Sequence, residues 1–126
     1  MTVWGYGAEG RAAKTFLEKR GCEVTVIEDP TPIPQSGVIV KSPGISLYRH
    51  DIKMAKYYGA FFTTGVNLFM EAALSMSDSR PLLIGVTGTK GKSTTSSLIA
   101  HVLRAQGNRV ALCGNIGVPA IAMADK

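Results

Sequence analysis

Gly85-Val86-Thr87-Gly88-Thr89-Lys90-Gly91-Lys92-Ser93-Thr94 stands between an apolar stretch, residues 81–87, and an amphipathic one, residues 92–106. The order strand, glycine-rich turn, helix is what phosphate binding requires. Glycines let the backbone curl until several N–H groups point at phosphate oxygens. The helix behind adds the positive end of its dipole. Lys92 can set a charge against β and γ phosphates, and the Ser93 hydroxyl can ligate magnesium. The strict pattern G-x-x-x-x-G-K-[ST] fails at one position, where Val86 stands for the first glycine.

Upstream, residues 2–5 read as a short strand entering a second glycine turn, Gly5-Tyr6-Gly7-Ala8-Glu9-Gly10. Residues 11–20 carry Ala12, Ala13, Phe16 and Leu17 on one helical face, and Gly21 stops the helix. Residues 23–27 alternate polar and β-branched residues, as a strand does. Residues 29–37 hold three prolines and form a loop; residues 38–40 are a buried strand. Residues 51–58 are expected to be helical, 60–63 a strand, and 68–76 a helix. Ser77-Asp78-Ser79-Arg80 is polar and precedes a proline, which places a domain boundary there. Residues 81–87 and 109–113 are then expected as buried strands flanking the helix 92–106. Both halves thus run strand, glycine loop, helix, glycine, strand, the pattern of a parallel crossover unit. The fold expected is α/β: a Rossmann-like parallel sheet over residues 1–79, then the start of a phosphate-loop ATP-binding α/β domain over 80–126.

The first glycine loop is a G-x-G-x-x-G, and the next strand ends in Glu28-Asp29, at the spacing of a dinucleotide fingerprint. Alone it fits NAD, another nucleotide whose pyrophosphate sits on the helix end, or an unliganded turn. The 126 residues carry a net charge of +5, with Lys and Arg scattered and no aromatic stripe between them, which argues against nucleic acid. Apolar runs fall short of a membrane span, and MTVWGYG is no signal peptide. Cys22 and Cys113 lack metal spacing and read as free interior thiols in a reducing compartment; His50 and His101 read as surface or packing residues.

Gly88-Thr89-Lys90-Gly91-Lys92-Ser93-Thr94 resembles the ATP loop of the Mur ligases, which reads G-T-[NK]-G-K-[ST]. The related folylpolyglutamate synthases usually set a glycine between the lysine and the hydroxyl residue, and this chain does not. The first glycine loop, Lys41-Ser42-Pro43-Gly44-Ile45, the ATP loop, and Cys113-Gly114-Asn115-Ile116-Gly117-Val118-Pro119 follow in the order that family shows. The resemblance implies that the first domain holds the UDP of a substrate, with Gly5, Gly7, Ala8, Glu9 and Glu28 near the UDP. It implies Ser42 and Gly44 near the phosphates or sugar, and Asn115 facing the substrate beside the ATP site. It implies Gly88 to Thr94 on ATP, Lys92, Ser93 and Asn115 in catalysis, and magnesium at Ser93. Family members often carry threonine and arginine after the acidic residue at Glu28; here Asp29 and Pro30 follow, so no arginine stands at that place.

The reaction implied is ATP-dependent amide formation through an acyl phosphate in cell-wall precursor synthesis. UDP-N-acetylmuramoyl-L-alanine would be the acceptor and D-glutamate the amine, in the cytoplasm, by a monomeric parent enzyme. The chain is expected to be an N-terminal piece, inactive by itself, and either self-associating through residues 81–126 or disordered there. Alternatives are an NAD-dependent oxidoreductase, a Mur-type ligase for another amino acid, a phosphate-loop kinase or GTPase, and a non-enzymatic nucleotide-binding module.

Overall fold

The computed structural model describes residues 1–76 and 81–125; the boundary expected at 77–80 lies outside them. Four strands, β1 (Thr2–Trp4), β2 (Thr25–Ile27), β3 (Gly37–Lys41) and β4 (Ala60–Thr63), form one sheet in the order β2-β1-β3-β4. All pairings are parallel: Val3 faces Val26 on one side and Val40 on the other, and Val38 faces Phe61. Helices α1 (Ala8–Glu18), α2 (His50–Tyr57), α3 (Gly65–Leu74) and α4 (Lys92–Ala105) and a short 3-10 helix (Ala120–Met123) complete the described elements. The Rossmann-like α/β expectation is met.

The sheet is covered on both faces, as parallel sheets require. On one face Val3 and Val40 pack with Ala13, Phe16 and Leu17 of α1, with Leu68, Phe69 and Ala72 of α3 at the margin. On the other, Trp4, Ile27 and Ile39 pack with Ile52 and Ala55 of α2. The period-2 alternation of the strands sorts these side chains to opposite faces. At the end of α1 the Gly21 N–H bonds Glu18 and the Cys22 N–H bonds Leu17, and Gly21 at φ +77° makes that reversal. At the start of α3 the Thr64 hydroxyl accepts the Asn67 N–H at 3.2 Å.

Helix boundaries differ from expectation in one direction. α1 begins at Ala8 and α3 at Gly65, each three residues early, because their first turns carry few apolar residues to signal them. The larger correction lies further on. Residues 81–87 and 109–113 are not strands of any sheet. Both are apolar, yet a strand exists only by pairing, and among the described residues they find no partner strand. Leu82 and Ile84 are exposed, and α4 buries only Ala100. A further departure is the 3-10 helix, which sequence periodicity did not suggest. It packs against α1 and α3, and Ile121 sits in the first core at 1% exposure. Asp125 then bridges Lys19 at 3.3 Å and Arg20 at 3.0 Å.

Candidate functional site

In the order β2-β1-β3-β4 the chain leaves β1 toward one edge and β3 toward the other. The crevice between their carboxyl ends is where open parallel sheets bind ligands. Gly5 and Ser42 face each other there. The Ser42 N–H donates to the Trp4 carbonyl at 2.9 Å, and the Ser42 hydroxyl to the Gly5 carbonyl at 3.3 Å. A Cβ on Gly5 would meet Ser42 Oγ at 2.5 Å, and one on Gly10 would run into the Gly5 carbonyl oxygen. These two glycines therefore let the turn close on β3 and let α1 lie against β1. Around Gly7, by contrast, nothing lies within 4 Å, so the N-terminus of α1 is open to a ligand.

The sequence-expected UDP residues gather around this crevice. Glu28, just past β2, accepts the Tyr6 N–H at 3.4 Å. Ala8 and Glu9 form the first turn of α1. Gly44 is exposed in the turn that the Ile45 N–H closes on the Ser42 carbonyl at 3.1 Å. Glu9 turns toward the start of α3, where a Cβ on Gly65 would lie 3.1 Å from its Oε2. Burial pushes the Glu9 carboxyl above the usual range. Burial, with the Glu9 charge added, raises the Cys113 thiol. Asn115 itself is exposed, in a turn closed by the Gly114 N–H on the Val118 carbonyl at 2.9 Å.

The second glycine loop has its own geometry. Gly91 is the N-cap of α4 at φ +74°, and Gly88 is at φ +151°. The Lys92 ammonium donates to the Gly88 carbonyl, closing the loop on itself. Ser93 and Thr94 are exposed in the first turn of α4, whose leading N–H groups have no intrahelical acceptor. Thr89 and Lys90 are exposed beside them. This is a loop able to receive an anion. Among the described residues no group of three or more His, Cys, Asp or Glu could hold a metal ion by itself.

Sequence reading passed over two residues near the crevice. Lys41 is buried at the end of β3, its ammonium donating to the Ser42 carbonyl at 3.2 Å, and burial lowers its pKa. Arg49, the residue before α2, lies 4.8 Å over the Trp4 ring and bonds both Asp29 and Asp51. Those bonds raise its pKa and hold the Asp51 carboxyl below the usual range. Lys41 opens the Lys41–Ile45 segment but was given no role there, and Arg49 stands in no motif; only the acids at 28, 29 and 51 hinted that a cation would be drawn in.

A parallel sheet with a glycine turn at its switch point, followed by a second glycine loop on a helix N-terminus, defines a Rossmann-like α/β class of protein. Residues 86–125 match the Mur ligase middle domain. A UDP-N-acetylmuramoyl-L-alanine--L-glutamate ligase from Xanthomonas euvesicatoria is 38% identical over 94% of this chain and 31% of its own length. One of the same name from Xylella fastidiosa strain 9a5c is also 38% identical with the same coverage. A UDP-N-acetylmuramoylalanine--D-glutamate ligase from Wolbachia pipientis is 43% identical over 96% of this chain and 27% of its own length. The chain spans about 30% of the length of these relatives. No helix among the described residues is long and apolar enough to cross a membrane.

Proposed function

We propose that this chain is the nucleotide-substrate domain and ATP loop of an ATP-dependent ligase joining glutamate to UDP-N-acetylmuramoyl-L-alanine. One observation carries the reading: likeness to ligases of that name runs through 94% or more of the chain, across both glycine loops. The division of labour follows from the two loops. UDP belongs on the first, with Gly5, Gly7, Ala8, Glu9 and Glu28 around it, Ser42 and Gly44 at its phosphates or sugar, and Asn115 reaching in from the second part. ATP belongs on Gly88 to Thr94. ATP supplies the phosphoryl group that turns a carboxylate into a reactive acyl phosphate. The loop amides and Lys92 hold the charge of that phosphoryl group. The Ser93 hydroxyl is exposed and free to serve magnesium. The parts are proposed to fold as residues 1–79 and 80–126, with residues 119–125 docked on the first.

D-glutamate is the amino acid we propose, in line with the Wolbachia relative's name. The names of the Xanthomonas and Xylella relatives support a second reading, L-glutamate. Calorimetry of this chain with UDP, ATP and NAD tests the nucleotide assignment: UDP and ATP bind, and NAD tighter than UDP would overturn it. Phosphate release by the whole ligase with each enantiomer of glutamate separates the two amino-acid readings.

A further inference from the structure

Ile27, Trp4 and Lys41 stand in register across β2, β1 and β3 and form the last row of side chains below the crevice. Ile27 and Trp4 are apolar and buried, as a row covered by a helix should be. Lys41 is buried just as deeply, at 7% exposure, but carries an ammonium. Among the described residues no carboxylate pairs with it. Its one partner there is the Ser42 carbonyl, at 3.2 Å. Burial alone lowers its pKa. Burying a cation without a counter-charge costs stability, and a methionine of similar length would fill the place without that cost. Packing therefore gives no reason for a lysine at this position.

The reason lies in what the ammonium holds. The Ser42 carbonyl accepts from the Lys41 ammonium and, at 3.1 Å, from the Ile45 N–H, which fills both of its lone pairs. The Ser42 N–H donates to the Trp4 carbonyl and its hydroxyl to the Gly5 carbonyl. The N–H, carbonyl and hydroxyl of Ser42 are thus all bonded, and the turn 42–45 is pinned against the glycine turn. A Cβ on Gly5 would lie 2.5 Å from Ser42 Oγ and 3.8 Å from Ile45 Cδ1, so any shift of the turn changes the wall that faces Gly5. Pro43 has no N–H to give and Gly44 no side chain, so the turn supplies little support of its own. We propose that Lys41 is a positioning residue of the nucleotide crevice: through the Ser42 carbonyl it fixes the turn 42–45 in the shape a bound nucleotide meets. This role rests on the uridine-nucleotide reading above. A wall fixed before binding spares the ligand the cost of ordering it, so the lysine gives up stability for affinity.

Lys41→Met and Lys41→Arg in the full chain test it, read by thermal melting, by calorimetry with UDP, and by hydrogen exchange at the Ile45 amide. Lys41→Met is expected to melt at or above the parent temperature. In the same variant UDP should bind about tenfold more weakly, the worth of one charge-assisted hydrogen bond, and the Ile45 amide should exchange faster without ligand. Lys41→Arg, which keeps a charged donor, is expected to recover most of the UDP affinity and of the Ile45 protection. A melting temperature that falls along with affinity in Lys41→Met would overturn the assignment, because the lysine would then be an ordinary member of the core. Unchanged UDP affinity with unchanged Ile45 exchange would overturn it too. If the unsubstituted chain binds no UDP, the nucleotide reading fails, and Ile45 exchange in Lys41→Met still decides whether the lysine holds the turn.

Discussion

Residues 1–76 and 81–125 share one sequence pattern and reach different ends. In the first, strand, glycine turn, helix, glycine and strand build a sheet with a core on each face. In the second, only the helix and its two glycine ends appear, and Leu98 and Val102 of its apolar stripe are exposed. A helix satisfies its own backbone, whereas a parallel strand must find its hydrogen bonds on a neighbour. The first region holds four strands that serve one another. The second keeps its local geometry, loop and helix, and anchors itself by lending Ile121 to the core of the other region.

The sharpest way to break this comparison is at the glycines. Gly10→Ala would press a methyl group into the Gly5 carbonyl, backbone against backbone. Urea unfolding should show a loss of about 3 kcal/mol or more. Gly107→Ala, at φ +84° behind α4 with nothing near it, should cost only about 1 kcal/mol. Similar losses at both would mean the second region is packed as tightly as the first.

Next in size is the borrowed anchor. Ile121→Ala should destabilise the sheet of the first region by about 2–4 kcal/mol, because it opens a cavity between α1 and α3. Leu98→Ala, 61% exposed on α4, should change stability by less than about 0.5 kcal/mol. The comparison fails if Ile121→Ala is silent in the unfolding of residues 1–76.

The smallest effects are titrations. Arg20 and Lys19 hold the Asp125 carboxyl below its usual 3.8, so its contribution is complete above that value and disappears as pH falls through the lower folded pKa. Asp125→Asn should lower the melting temperature slightly at neutrality, where the contribution is complete, and converge on the parent as pH falls below 3.8, which flattens the acid limb. Glu9 has the opposite sign. Burial raises its pKa above 4.5, so its ionisation weakens the fold as pH rises through the window from 4.5 to that raised value. Glu9→Gln should remove that decline, read as melting temperature against pH. An unchanged decline would mean that Glu9 is solvated.

Much of the fold was legible because its signals are local. The stripe Ala13, Phe16, Leu17 marks α1, the β-branched residues of 25–27 mark β2, and Gly21, Gly59 and Gly107 mark helix ends at positive φ. Both glycine loops were legible for the same reason: a turn that needs glycine followed by a helix start is written in consecutive residues. Those properties the sequence determined by itself. Pairing was not legible. Residues 81–87 and 109–113 look like strands, but hydrophobicity states only that a segment prefers burial, and whether a neighbour exists to bond it is a property of the assembled chain. The docking of Ile121 among α1 and α3, the facing of Gly5 by Ser42, and the clamp of Arg49 by Asp29 and Asp51 join residues 2 to about 110 positions apart. Only the tertiary structure decided these, because each depends on which surfaces the sheet order brings together after the local elements have formed.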